Sequence, residues 1–434
     1  MKGLFEELKN LEMIPLKSLI DKMKNGYSGN QVLEETEYKV SRIETISDGT
    51  VNLKKVGFVE KNDKLNEYKL EFGDLLFSNI NSLAMVGKTA IFDFEQENLY
   101  AGMNLLMIRP KKNVDSKWLY YVINSYYFNQ LVKANAKHAI NQVSIPTSKI
   151  KELPIAYVDY QEQIKIRAYL DAKTSLIDEL IKAKENIINK ISQQRQSIIT
   201  EAVTKGLNPN VKMKDLGVEW IGDIPEHWKV TKIKYNTYVK GRIGWQGLKS
   251  DEFINEGPYL VTGTDFKHGY VNWSTCYHIS EERYEEAPPI QLRENDLLIT
   301  KDGTIGKLAI VKDMPYRAIL NSGVFITRPL NNQYLSKYMY WLLSSNVFNK
   351  YISLMETGST IKHLYQETFV NFSYPIPSLK EQGEIVEYLN IKISEIDKIG
   401  QLVKEQIEKL KEYRQALIYE AVTGKIDVRD MELD

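Results

Sequence analysis

The chain is predicted to be an α+β protein: two globular α/β segments, each followed by a long helix, the two helices packing as an antiparallel coiled coil with pseudo-two-fold symmetry. Three observations predict this. Residues 161–206 and 380–425 align without a gap at a constant offset of 219 and share 18 identities. These include Tyr169-Leu170 with Tyr388-Leu389, Ile177-Asp178 with Ile396-Asp397, and Arg195-Gln196 with Arg414-Gln415. An ungapped match of that length inside one chain is a duplication. Both copies also carry one heptad seam. Finally, the segments that precede them repeat a set of short anchors at offsets of 219 to 222.

The first globular segment spans 1–158. Short apolar runs at Tyr38–Glu44, Asp74–Ser78 and Leu105–Arg109, bounded by Gly, Asn or Pro, read as strands, and 115–135 reads as an aromatic-rich helix. Leu153-Pro154-Ile155 closes it. The first long helix follows over 159–206 as a central spacer, and Lys205-Gly206-Leu-Asn-Pro-Asn210 ends it with Gly and Pro where a stop is expected.

The second globular segment, 207–379, repeats the plan. Asp296-Leu297-Leu298 answers Asp74-Leu75-Leu76, Gly306-Lys307 answers Gly87-Lys88, and Arg328-Pro329 answers Arg109-Pro110. Tyr374-Pro375-Ile376 answers Leu153-Pro154-Ile155. Between these anchors the segments have diverged, whereas the helices are nearly kept. The second long helix covers 380–425 as a distal spacer, and 426–434 form an acidic tail.

In the second helix Leu389, Ile396, Val403, Leu410 and Leu417 fall seven apart, with Ile393 and Ile407 beside them. In the first, Leu170, Ile177, Ile191 and Ile198 keep the same register, with Ile181 and Ile188 beside them. Spacings of 3 and 4 put these residues on one stripe per helix. So narrow a stripe asks for a partner helix. Lys184, Gly400, Arg195 and Arg414 also fall on the stripe, where such residues fix register rather than add packing. A helix of about 40 residues is roughly 60 Å long at about 1.5 Å per residue. A pseudo-symmetric pair carrying two different globular segments suits a pseudo-symmetric linear target, and duplex DNA is the common one.

Composition sets bounds. At 434 residues and 43% hydrophobic content the chain can hold two or three cored domains. A single cysteine, Cys276, rules out an internal disulfide and fits a reducing compartment. The charged start Met1-Lys-Gly-Leu-Phe-Glu-Glu-Leu is no signal peptide, and no apolar run reaches the length of a membrane span, so a cytoplasmic protein is expected. Net charge is zero, yet no acid occurs between Asp115 and Glu152 or between Asp313 and Glu356. Two acid-free stretches make either local positive surfaces or buried helices.

The alternation of diverged globular segments with repeated helices resembles the specificity subunit of Type I restriction–modification enzymes. Particular strings carry the resemblance: Gly-Val-Glu-Trp-Ile-Gly-Asp-Ile-Pro-Glu-His-Trp (217–228), Gly-Arg-Ile-Gly-Trp-Gln-Gly-Leu-Lys (241–249) and Lys-Asp-Gly-Thr-Ile-Gly-Lys (301–307). Gly358-Ser-Thr-Ile-Lys-His363 and the Ile-Pro…Glu-Gln start of the second helix (376–382) add to it. The resemblance covers essentially the whole chain and is most specific in its second half. It implies that each globular segment is a target recognition domain reading one half of a split double-stranded DNA site. It implies further that the helices set the gap and dock two methyltransferase subunits, and through them two restriction/translocase subunits. S-adenosylmethionine, ATP and Mg would then be bound by those partners, with no cofactor in this chain.

No motif for chemistry of its own is complete. Gly87-Lys88-Thr89 ends a phosphate loop whose first Gly is replaced by Ser82, and Lys301–Lys307 is followed by Leu308 rather than Ser or Thr. The only Pro-Pro, Pro288-Pro289, lacks the flanking amide and aromatic of an adenine methyltransferase loop. Glu37-Tyr-Lys39 and Glu67-Tyr-Lys69 are nuclease-like triplets, but such triplets are frequent at 26% charged residues and read as strand surface. The five histidines and Cys276 have no zinc spacing, so no metal and no catalytic residue is expected. His227 reads as a packing or capping residue.

Base edges are read mainly by Arg, Lys, Asn and Gln, and phosphates by Lys, Arg, Ser and Thr. Loops held by a rigid sheet suit that task. In the second segment the DNA-binding candidates are Arg242, Gln246, Lys267, His268, Lys301, Thr304, Lys307, Thr360, Lys362 and His363. In the first they are Arg42, Ser78, Asn79, Lys88, Lys137, His138, Asn141 and Gln142. Two rivals are a non-DNA two-headed coiled-coil scaffold and the recognition part of a nuclease or methyltransferase. The first predicts no specific DNA affinity, and the second predicts activity in the purified chain.

Overall fold

The computed structural model describes residues 12–46, 49–139, 142–242, 248, 250–355 and 363–428. The chain forms two compact units: Met1–Glu185 with Glu405–Asp434, and Asn186–Lys404. The division therefore falls within each long helix, and each unit contains one globular head with a stretch of both helices.

In the first unit the head is built on a four-stranded antiparallel sheet. Its order is Ile20–Asn25, Leu106–Pro110, Leu75–Phe77 and Thr89–Ile91. The last two strands are buried along their whole length, as continuous apolar runs should be. A small sheet orders Val56–Phe58, Lys39–Ser41 and Leu99–Tyr100, the last two parallel. A third joins Lys137–Ala139, Gln142–Ser144 and Ile80–Asn81. Met13–Pro15 pairs with Pro154–Ala156, tying the head's start to its end.

The second unit repeats the main sheet, the small sheet and the closing strand pair. Its main sheet orders Thr237–Gly241, Val324–Pro329, Leu297–Thr300 and Leu308–Ile310, then adds the hairpin of Tyr270–Val271 and Phe266–Lys267 at one edge. Its small sheet orders Tyr277–His278, Ile254–Val261 and Ala318–Leu320, again with the last two parallel. Lys229–Lys232 pairs with Ser373–Ile376 as Met13–Pro15 does with Pro154–Ala156. The duplication thus extends from the helices through the heads, down to the one parallel pairing in each small sheet.

Two expectations are corrected. The aromatic helix over 115–135 is two helices, Ser116–Asn124 and Tyr126–Asn135. Ser125 breaks it because its hydroxyl donates to the Val122 carbonyl at 2.6 Å and accepts from the Phe128 amide at 3.3 Å. Ser345 does the same between Ser336–Leu343 and Asn346–Met355. The strand expected over Tyr38–Glu44 ends at Ser41, where Thr45 accepts from the Arg42 amide and a short turn begins. Of the acid-free stretches, the helical parts bury Trp118, Tyr121, Phe128, Tyr338 and Trp341, so burial accounts for much of their missing charge.

The anchors that aligned the heads prove to be structural. Asp74 and Asp296 are almost wholly buried, 1% and 2% exposed, and each receives a bidentate guanidinium. Arg109 donates from Nε and Nη2 to Asp74 at 2.8 and 2.7 Å, and Arg328 to Asp296 at 2.5 and 2.8 Å. Each carboxylate also accepts a backbone amide three residues back. Such a pair fixes the turn before the central strand at a desolvation cost that two charge-assisted bonds offset.

The long helices run Tyr160–Lys205 and Leu379–Val422. Asp159 and Ser378 cap them, and in the second a reciprocal capping box joins Ser378 to Glu381. Every seam residue expected from the heptads is buried or half-buried. Leu170, Leu389 and Ile393 are exposed by 1% or less. In the first unit Arg414 Nη2 donates to Asp178 at 3.1 Å and Lys184 to Gln406 at 2.7 Å. In the second, Arg195 Nε donates to Asp397 at 3.0 Å. The residue numbers rise on one helix as they fall on the other, so the helix stretches in each unit are antiparallel. Arg195–Asp397 and Arg414–Asp178 are one ion pair written twice with the helices exchanged. The charged seam positions hold register.

Candidate nucleic-acid interface

A buried glutamine couples each head to its helix. Gln163, 1% exposed, accepts from the Asp115 amide at 2.9 Å while donating to the Val158 carbonyl. Gln382, fully buried, accepts from the Leu335 amide at 2.9 Å and donates to Pro377. Asp115 and Leu335 are the N-cap residues of the first aromatic helix in each head. The repeated Glu-Gln pair is therefore a joint that sets each head on its helix.

On this frame the sequence candidates gather at one place per head. In the second, the loop between strands Leu297–Thr300 and Leu308–Ile310 carries Lys301, Thr304 and Lys307. Its two glycines, Gly303 and Gly306, have φ of 68° and 82° and face open space. Thr300 clamps the loop base: its amide donates to the Lys307 carbonyl at 2.9 Å, and its hydroxyl accepts from the Lys307 amide at 2.9 Å. Thr304 and Lys307 are exposed, while the Lys301 ammonium lies over the Phe325 ring at 5.2 Å. His363 is brought to this loop across 61 residues by a backbone bridge and a side-chain bond to Asp302.

The first head assembles the equivalent place from its own residues. Ser78 pairs with Lys88 as Thr300 does with Lys307, and the hairpin Lys137–Ala139/Gln142–Ser144 lies against Ile80–Asn81. Lys137 and Gln142 are exposed and Lys88 is half-buried. The loop here is three residues longer, 78–88 against 300–307, which is where the alignment offset changes from 222 to 219. The backbone of His138 lies in this hairpin. Asn141, Gln246, Thr360 and Lys362 lie outside the described residues.

Other candidates are placed differently. Ser78, Asn79 and Arg242, expected at the surface, are buried, with 1%, 7% and 3% exposure. Ser78 accepts from Asn81 Nδ2 at 3.1 Å, and Arg242 Nε donates to the Leu320 carbonyl at 2.9 Å. Burial, with Arg283 nearby, lowers the Arg242 pKa. The Ser78 hydroxyl and Arg242 Nε thus serve the fold. Arg42 is exposed, but it directly follows the Lys39–Ser41 strand of the small sheet, and its Nε donates to Gln31 at 2.7 Å. Lys267 and His268 form a tight hairpin turn with Gly269, with φ of 52° and 79° at His268 and Gly269. There His268 lines a cleft with Ile191, Arg195 and Asp397 of the long helices rather than the loop with Lys301. His227 Nε2 donates to Glu381 Oε1, 2.7 Å away, within the capping box.

Sequence reasoning missed Asp302, Asn81 and Tyr365 at these places. Only the repeat register could have shown them: the bridge Asp302–His363 stands where Ile80–Ser144 stands in the first head.

Two α/β heads with the same main-sheet order, each presenting a loop bridged by a later segment of its own head and each joined to one copy of a repeated helix, define a two-headed recognition protein. The comparisons agree. The family described as Type I restriction modification DNA specificity domain matches residues 9–191 and again 237–411, so the chain belongs to that family. The MjaX type I restriction enzyme specificity subunit of Methanocaldococcus jannaschii is 30% identical over 421 residues, covering 96% of this chain and 94% of that protein. The EcoKI specificity subunit of Escherichia coli is 21% identical over 401 residues, 91% of this chain and 83% of the other. A chain from a structure titled for complex assembly of the type I R-M system superposes with a TM-score of 0.72 at 14% identity, covering 96% and 99% of the two chains. The HsdS subunit of Thermoanaerobacter tengcongensis gives 0.51 at 14%, covering 96% and 98%. Among the described residues no helix is long and apolar enough to cross a membrane.

Proposed function

We propose that each head reads one half of a bipartite double-stranded DNA site and that the long helices set the gap between the halves. The observation that carries this reading is the repetition of one loop with its backbone bridge on both heads, the backbone contacts kept and the side chains changed. A shared frame gives both sites the same approach to a groove, and different side chains give them different base preferences. The chain itself does no covalent chemistry. Methylation from S-adenosylmethionine and ATP- and Mg-dependent cleavage belong to two methyltransferase and two restriction/translocase subunits.

The helices also offer docking faces away from their seam. In the first unit Leu176 and Leu180 share one face of the first helix, 56% and 45% exposed. Ile391, Ile399 and Leu402 share one face of the second, 52% to 58% exposed. Apolar stripes of this kind on otherwise charged helices mark partner contacts, and a methyltransferase subunit is the occupant that fits the family.

The test is co-expression with a neighbouring methyltransferase subunit, followed by mapping of methylated adenines on a bacterial chromosome. Two short half-sites around a fixed gap support the reading. A single continuous motif limits recognition to one head, and a stable complex that methylates nothing returns the scaffold reading.

A further inference from the structure

The two heads close their reading loop against the following hairpin or segment with the same backbone contacts. In the first, the Ile145 amide donates to the Asn79 carbonyl at 2.9 Å and Ile80 pairs with Ser144. In the second, the Leu364 amide donates to the Lys301 carbonyl at 2.7 Å and Asp302 pairs with His363. The side chains standing on this common bridge differ completely. Ile80, Ser144 and Pro146 in one head become Asp302, His363 and Tyr365 in the other.

Asp302 Oδ1 is hydrogen-bonded to His363 Nδ1. The Tyr365 ring meets the imidazole edge-on at 4.8 Å between centroids and is itself 65% exposed. The acid–imidazole pair is not needed to close the loop, because the first head closes it by the same backbone contacts with Ile80 and Ser144 in place of the pair. Nor is it a strong staple: with side chains 35% and 43% exposed, such a pair adds little stability. A carboxylate on a phosphate-seeking loop also repels its target unless it serves another group there.

We infer that Asp302 is a positioning residue that fixes His363 for base reading by the second head, an inference that rests on the proposed function. With Nδ1–H turned to the carboxylate, the other ring nitrogen, Nε2, has no hydrogen-bond partner among the described residues, and in the neutral imidazole it is an acceptor. Its complement in the major groove is an exocyclic amine, N6 of adenine or N4 of cytosine. The first head, with Ser144 at this point, reads by other means.

The experiment uses the full chain complexed with its methyltransferase subunit. Methylated sites are mapped for the wild type and for His363→Ala, Asp302→Ala and Asp302→Asn. His363→Ala is expected to relax one base pair of one half-site by roughly tenfold, leaving the other half-site and the gap as they were. Asp302→Ala relaxes the same base pair by less. Asp302→Asn, whose side-chain carbonyl still accepts from Nδ1–H, retains most of the discrimination. Uniform weakening over all sequences would make His363 a phosphate contact and overturn the inference. Relaxation at different base pairs in the two alanine variants, or an unchanged motif in both, would overturn it as well. A wild-type complex without a split motif brings down the proposed function itself, and that result is read before any variant is compared.

Discussion

Glu381, at the third position of the second long helix, binds four donors with its two oxygens. His227 and Trp228 meet Oε1 at 2.7 and 3.0 Å, and the amide and hydroxyl of Ser378 meet Oε2 at 3.2 and 2.8 Å. Burial works to raise its pKa, but donation by His227, Trp228 and Ser378 outweighs it and holds the carboxyl at about 2, below its ordinary 4.5. A carboxyl lowered on folding contributes stability that is complete above its unfolded pKa and is lost as pH falls through the folded one. The wild type should therefore lose its advantage over Glu381→Gln between about pH 5 and pH 2, read by urea unfolding at a series of pH values. A difference that stays constant across that window would remove the carboxylate's charge from the account. Lys307 lies at the opposite functional extreme, exposed on a loop where a Cβ added at either glycine would meet nothing within 4 Å among the described residues. Lys307→Ala should weaken binding to every sequence alike and lower the slope of log K against log salt by about 1, the release from one phosphate. An unchanged slope strikes it from the interface.

At the scale of elements, the joints matter more than the strands they connect. Gln382→Ala leaves the Leu335 amide without its acceptor in a buried setting, a loss of about 1–3 kcal/mol by the usual penalty for an unsatisfied buried donor. Denaturant melts of the full chain should show it, and Gln163→Ala should show a similar loss through Asp115. A loss below about 0.5 kcal/mol in both would mean that other groups take over the amides. The same joints show what the sequence displays and what it withholds. The seam was legible because heptad spacing is local and was printed twice. That the second head repeats the plan of the first was legible because Asp74, Arg109 and their counterparts recur at offsets of 222 and 219, though not that they meet as a buried ion pair. Ser78, Asn79 and Arg242 were misplaced because residue type states hydrogen-bonding capacity and says nothing of burial. Asp302 escaped notice because its partner is 61 residues away, a distance only the folded register closes.

For the whole molecule, the duplication makes the first head an exchangeable part, and the structure says where to cut. A boundary at residue 155 would divide the strand Pro154–Ala156, whose three residues pair with Met13–Pro15 of the same head. A boundary after Val158 keeps that pairing intact and leaves the cap Asp159 with the helix that begins at Tyr160. The incoming head must offer Gln163 a free amide at the start of its first aromatic helix, as Asp115 does here and as Leu335 does for Gln382 in the second head. Replacing residues 1–158 in this way should change one half-site of the methylated motif, leaving the other half-site and the gap untouched. If both halves changed, base reading would not be confined to single heads. If the gap changed with the half-site, the spacing would be set within the head rather than by the helices, and the division of labour proposed for this chain would fail at its central point.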